Sequence, residues 1–229
     1  MNEADERTGN DKMRIAPSIL SADFSKLGAE IERVEAGGAS QLHLDVMDGH
    51  YVPNLTFGPM VVEAVRRTTA LPLDVHLMIE SADRWIDAYV DAGADMVAVH
   101  PETLYHPHLT LTAIQKRGKK AGIAINPGTS FATIEELIPI ADYAIIMSVN
   151  PGWGGQKFIE GSFTRARRLR RLATELETSL TIEIDGGMNA ERVPKAAEAG
   201  IDVVIAGSAV FKADDPAAVI ADMLQASSV

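Results

Sequence analysis

Eight short apolar runs, each the length of a strand, recur along the chain and alternate with segments of helical apolar spacing. They are RIAPSIL from Arg14, QLHLDV from Gln41, LDVHLMI from Leu73, MVAVH from Met96, GIAIN from Gly122, YAIIM from Tyr143, TIEID from Thr181 and VVIAG from Val203. Val and Ile dominate them, and most are bounded by Gly, Pro, Asn or Asp, which is the pattern of buried strands. Between them, Leu27, Ile31 and Val34 fall on one helical face, as do Trp85, Ile86, Tyr89 and Val90. Ser81 is expected to cap a helix that stops at Gly93, and Thr133 with Glu136 has the spacing of a capping box. The segments EAGGASQLHLD from Glu35, DAGADMVAVH from Asp91 and EAGIDVVIAG from Glu198 repeat one plan: acidic helix end, Ala-Gly stop, short loop, buried strand. Such units at intervals of about 20–40 residues imply a parallel sheet with crossover helices. Eight strands in about 215 residues fit a closed (β/α)8 TIM barrel. The turn after the first strand, PSILSADF, lacks the Gly-x-Gly-x-x-Gly of an open dinucleotide-binding sheet. The expected organisation is α/β: a polar, disordered tail over residues 1–12 and one barrel domain over residues 13–229.

Composition narrows the function classes. Hydrophobic residues make up 46% and charged ones 23%, which excludes a disordered or collagen-like chain. Lys plus Arg number 21 against 32 Asp plus Glu, a net charge of −11, so neither nucleic acid nor an anionic membrane is expected as a partner. Without cysteine there is no disulfide, thiolate nucleophile or Cys-ligated zinc. No apolar run approaches the roughly 18 residues of a membrane span. The start, MNEADERTGNDK, lacks a signal-peptide layout, so a cytoplasmic protein is expected.

Strand alternation then locates the polar interior. In QLHLDVMDG it places His43, Asp45 and Met47 on one face and Leu42, Leu44 and Val46 on the other. The same parity groups Asp74, His76 and Met78, and Glu183 with Asp185. Three strands thus deliver His43, Asp45, His76 and Asp185 to one barrel end. Two imidazoles and two carboxylates suit one divalent ion, Zn2+, Fe2+, Mn2+ or Co2+. A single strand-end His or Asp is readily a hydrogen-bonded cap, and the inference rests on the four together. His100, Glu183 and Asp74 also point inward and are given supporting or packing roles. Met47, Met78 and Met147 fall at strand ends, where they either fill core or wall water from the metal. Lys157, Arg165, Arg167 and Arg168 are expected to form a solvated helix start and face.

Glycine-rich loops follow the last three strands: NPGWGGQKF (Asn150 to Phe158), DGG (Asp185 to Gly187) and AGS (Ala206 to Ser208). Barrels of this class bind phosphate at such loops through backbone N–H groups, which needs no basic side chain. A metal, two opposed acids and a phosphate anchor suit epimerisation: one carboxylate removes the proton beside a carbonyl, the metal stabilises an enediolate, and the other acid reprotonates the opposite face. A metal-dependent aldolase or lyase, or a silent phosphosugar-binding protein, would share parts of this set.

The motifs IAPSILSADF, HLDVMDGHYVPNLTFGP, DVHLMI, NPGT, IMSVNPGWGGQKF, EIDGG and IAGSAVF closely resemble the ribulose-phosphate 3-epimerase family, in that family's order, from about Ile15 to Phe211. The resemblance implies interconversion of D-ribulose 5-phosphate and D-xylulose 5-phosphate. It implies His43, Asp45, His76 and Asp185 as metal ligands, with Asp45 and Asp185 as the catalytic acid–base pair. Ser18 and His76 would contact the substrate. Gly152, Trp153, Gly154, Gly155, Gly186, Gly187, Gly207 and Ser208 would surround it, and Met47, Met78 and Met147 would line the pocket. A homo-oligomer is also implied. The segment HPETLYHPH departs from the commonest family pattern and resembles allulose-6-phosphate 3-epimerases, and Trp153 stands where Phe is usual. A related epimerase acting on allulose 6-phosphate or a shorter ketose phosphate is the alternative.

Overall fold

The computed structural model describes residues 13–227. All eight apolar runs form strands: β1 (Arg14–Pro17), β2 (Leu42–Met47), β3 (Leu73–Met78), β4 (Met96–Val99), β5 (Lys120–Ile125), β6 (Tyr143–Met147), β7 (Thr181–Asp185) and β8 (Val203–Ala206). They pair in parallel in the order β1-β8-β7-β6-β5-β4-β3-β2. The two ends of that order meet through a parallel bridge between Ser18 and His43, which closes the barrel at a residue of the proposed site. Around it run α1 (Leu27–Ala36), α2 (Pro59–Arg66), α3 (Ile86–Asp91), α4 (Pro107–Lys116), α5 (Ser162–Glu175), α6 (Val193–Glu198), α7 (Ser208–Phe211) and α8 (Pro216–Ala226). The tail expected to be disordered lies outside the described residues.

Two local expectations fail for identifiable reasons. No α-helix starts at Thr133; the β5–β6 crossover is two 3-10 turns, Phe131–Thr133 and Glu135–Leu137. The cap there is Ser130, whose hydroxyl accepts from the Ala132 N–H, so the start signal lay three residues earlier. Ser81 adopts a left-handed conformation, φ 51°, and makes no side-chain cap bond. A 3-10 turn, Ala82–Arg84, intervenes before α3, while Gly93 ends that unit at φ +112° as expected. This conformation costs glycine nothing and other residues about 1 kcal/mol.

Strand alternation divides the apolar residues into two compartments. Leu42, Leu44 and Val46 of β2 join the layer between sheet and helices. Inside the barrel a separate cluster of Ala16, Met96, Ala98, Ala124, Tyr143, Ile145, Met147, Val203 and Ile205 fills the lumen. Tyr143 is fully buried there, and a Cβ on Gly122 would overlap its ring, so glycine on β5 makes room for this aromatic in the lumen. Among the described residues no helix is long and apolar enough to cross a membrane.

Candidate active site and metal centre

The C-terminal ends of β2, β3 and β7 bring four side chains together. One donor atom from each of His43, Asp45, His76 and Asp185 lies within 4.8 Å of the others. His43 Nε2 and His76 Nδ1 are 3.3 Å apart, and Asp45 Oδ1 lies 3.4 and 3.3 Å from them. Bonds of about 2.0–2.1 Å to a tetrahedral ion would separate donors by roughly 3.3 Å, so the spacing fits a small divalent cation. Both imidazoles are fully buried, and Asp185 faces the cavity with part of its surface accessible. The register explains the convergence: Asp45 pairs with His76 across β2–β3, and Met147 with Asp185 across β6–β7.

Three of the four ligand candidates are oriented from behind. His43 Nδ1 lies 2.7 Å from Asp74 Oδ2, and Asp74 Oδ1 accepts the Tyr143 hydroxyl at 2.5 Å. His76 Nε2 lies 2.9 Å from His100 Nε2. Ser18 donates its hydroxyl to Asp45 Oδ2 at 2.5 Å. Deeper in the lumen His43, Asp74 and Glu183 form a second close group, in which Gln41 donates to Glu183 at 3.1 Å. Asp74 is engaged by His43 and Tyr143, and Glu183 by Gln41, so this group reads as a hydrogen-bonded support beneath the first.

The electrostatics separate the two catalytic candidates. Burial alone would raise Asp45, but the charge and hydrogen bonds of His43 and the hydrogen bond of His76 hold it far below the usual carboxylate range. Burial, and then the negative charge of Asp45, push Asp185 up to about 7. Burial alone would lower His43, but Asp45 and Asp74 raise it well above its ordinary value. His76, buried and repelled by neighbouring imidazoles, falls to about 4. One carboxylate is thus ionised while its neighbour holds a proton near neutrality, a division suited to acid–base work.

Above the cluster a cavity opens between the loops after β6, β7 and β8. Ser18, Asp45, Asp185 and the three expected methionines, Met47, Met78 and Met147, line it, as does Met188. So do Gly152, Trp153, Gly154 and Gly155 from one loop, Gly186 and Gly187 from the next, and Gly207 and Ser208 from the third. His43 and His76 do not reach its wall; they lie beneath it. Two glycines sit where a Cβ would meet a neighbouring side chain. Gly186 sits at φ +115°, where a Cβ would come within 2.5 Å of Val149, and a Cβ on Gly207 would come within 2.7 Å of Ser21 Oγ. Gln156 donates to the Asn150 and Trp153 carbonyls at 2.6 and 2.8 Å and so fixes the first loop.

The structure adds residues that sequence reasoning missed or misassigned. Tyr143 shares the parity of Met147 and could have been read as inward. The cluster around Glu102 could not: Tyr51 and Asn126 lie in loops, yet the Tyr51 hydroxyl donates to Glu102 at 2.9 Å and Asn126 Nδ2 donates to Glu102 at 2.6 Å. Arg165 is not a solvated residue. Its guanidinium donates to the Asn126 and Thr129 carbonyls at 3.0 and 2.8 Å and lies over the Phe131 ring, pinning the loop after β5.

With the geometry in place, relatives place the chain. A family model described as the ribulose-phosphate 3 epimerase family matches residues 14–211. A Bacillus subtilis protein named ribulose-phosphate 3-epimerase is 51% identical over 204 residues, covering 89% of this chain and 94% of its own. An Arabidopsis thaliana protein named as the chloroplastic ribulose-5-phosphate-3-epimerase is 45% identical, covering 94% and 77%. Among solved structures, KGPDC from Streptococcus mutans superposes with a TM-score of 0.71 at 12% identity, covering 95% and 98%, a likeness of fold alone. The chain belongs to the ribulose-phosphate 3-epimerase family.

Proposed function

We propose that this protein interconverts D-ribulose 5-phosphate and D-xylulose 5-phosphate by moving a proton between opposite faces of carbon 3. The identity to named ribulose-phosphate 3-epimerases supports a pentose-phosphate epimerase, an isomerase. The observation that carries the mechanism is the placement of two carboxylates, Asp45 and Asp185, at the floor of one cavity, where their surroundings favour the ionised form of Asp45 and push Asp185 up to about 7. Asp45 accepts the carbon-bound proton, Asp185 delivers one from the other face, and the roles exchange in the reverse direction. Over the whole reaction only the carbon 3 C–H bond breaks and re-forms, its electron pair resting on the neighbouring carbonyl oxygen in between, and no electrons leave the substrate.

His43, Asp45, His76 and Asp185 would hold the cation, one per subunit, drawn from Zn2+, Fe2+, Mn2+ or Co2+. Such an ion supplies Lewis-acid stabilisation of negative charge on the substrate's oxygens. Ser18 orients Asp45 and contacts the substrate. Gly154, Gly155, Gly186, Gly187, Gly207 and Ser208 offer close backbone approach to the phosphate, which suits an acidic protein. Met47, Met78 and Met147 border the reacting carbons with groups that take no proton. We further propose a cytoplasmic homo-oligomer, each subunit one catalytic barrel from residue 13 onward.

The test is formation of D-xylulose 5-phosphate from D-ribulose 5-phosphate by purified protein with and without chelator. Activity lost to chelator and restored by divalent metal supports the proposal. Turnover of allulose 6-phosphate alone would keep the chemistry and replace the substrate.

A further inference from the structure

His100 follows β4 and is fully buried between two rings, stacked on His76 with centroids 5.0 Å apart and tilted against Tyr51 at 4.9 Å. Its Nε2 lies 2.9 Å from His76 Nε2. Two imidazole nitrogens that close share one proton: one donates and the other accepts. The opposite nitrogen of His76, Nδ1, faces His43 Nε2 and Asp45 Oδ1, each at 3.3 Å. A nitrogen that binds a cation must present a lone pair, so the His76 proton belongs on Nε2. His100 Nε2 must then accept, which moves the His100 proton to Nδ1. That atom is buried without a hydrogen-bond partner, and the acid nearest it is Glu102, with Oε1 at 3.7 Å. Glu102 in turn is fixed by Tyr51 and Asn126.

We propose that His100, backed by Glu102, is a positioning residue of the metal centre, holding His76 in the one tautomer whose Nδ1 can bind a cation. This rests on the reading of His43, Asp45, His76 and Asp185 as the metal site. His43 has the equivalent support from Asp74, whose carboxylate can only accept. A neutral imidazole, by contrast, can donate or accept. The His76 tautomer is therefore decided by the proton position on His100, and through it by Glu102 in the turn after β4. The histidine in the HPET segment is thereby given a role in metal retention.

The test compares His100→Gln, which returns an acceptor oxygen at the end of a side chain of similar length, with His100→Met, which does not. Zn2+ affinity is read by competition with a chromophoric chelator, and the ligand field by the visible bands of the Co2+ form. Loss of outer-shell support of this kind typically weakens metal binding about 10–100-fold. The expected result is that loss in His100→Met with shifted Co2+ bands, and recovery to within a few-fold in His100→Gln. Should His100→Met fail to fold, as judged by circular dichroism of the metal-free protein, His100→Phe keeps a stacked ring without the acceptor. Wild-type affinity and bands in either acceptor-free variant would overturn the proposal. Failure of the wild-type protein to bind Zn2+ or Co2+ would overturn the underlying metal-site reading itself.

Discussion

The Ser18 hydroxyl donates to Asp45 Oδ2 across 2.5 Å and leaves Oδ1 turned toward the His43 and His76 nitrogens. One residue beyond β1 thereby sets the rotation of a carboxylate on β2, at the same place where those strands close the barrel. A hydrogen bond to a charged group contributes about 1.5–3 kcal/mol. Ser18→Ala is expected to lower kcat roughly 10- to 100-fold, since each 1.4 kcal/mol is tenfold in rate. Ser18→Thr, which keeps the hydroxyl, should lose less. Steady-state kinetics of both variants check this.

Asp185 shares its cavity with an ionised neighbour, and burial and that negative charge together hold its pKa near 7 in the metal-free protein. Asp45→Asn removes the like charge, so the Asp185 titration should move downward. Carboxyl carbon NMR of labelled aspartate, recorded across pH 4 to 9 on metal-free protein, should show both the near-neutral midpoint and its fall. A midpoint near 4 in the wild type would remove the basis for the acid–base assignment.

Acid should loosen the loop between β2 and α2. Asp48 accepts from the N–H groups of His50 and Glu80 at 2.8 Å and Tyr51 at 3.0 Å. Burial opposes the charge more than any one of these donors favours it, but the donors together prevail and lower its pKa from the ordinary value of 3.8. A lowered folded-state pKa gives stability that is present above the unfolded value and lost as pH falls through the folded one. The Asp48 contribution is therefore complete above about pH 5 and fades below it. Asp48→Asn should flatten the acid side of a melting-temperature profile between about pH 5 and 2, and leave the slope near pH 7 unchanged.

Inside the lumen Gly122 faces the Tyr143 ring, whose hydroxyl is committed to Asp74. Gly122→Ala must displace that ring and with it the support of His43. Overpacking of this kind costs typically 1–3 kcal/mol. Denaturant unfolding should show the lower midpoint, with metal affinity reduced in parallel. A variant as stable as the wild type would show that Tyr143 has room to move.

Much of this was legible in the chain because a barrel strand repeats every two residues. Parity alone put His43, Asp45, His76 and Asp185 on the inner face, and the eight apolar runs set the topology. What stayed hidden came from loops and from the far ends of long side chains. Thr133 and Glu136 match a capping box, yet Ser130 caps a short turn instead, since nothing local distinguishes a 3-10 start from an α-helical one. Tyr51, Glu102 and Asn126 meet only because the segments after β2, β4 and β5 converge. Arg165 looked solvated because its acceptors are backbone carbonyls, which no side-chain pattern announces.

The pairing of Asp45 with Asp185 as opposed proton carriers is tested most directly by proton NMR in D2O with D-ribulose 5-phosphate and metal-loaded protein. Deuterium should enter at carbon 3 as D-xylulose 5-phosphate appears. In Asp185→Asn the formation of product should fall by at least about 100-fold, the scale of losing a general acid. Epimer formation at the wild-type rate in that variant, or formation without any solvent deuterium at carbon 3, would contradict it.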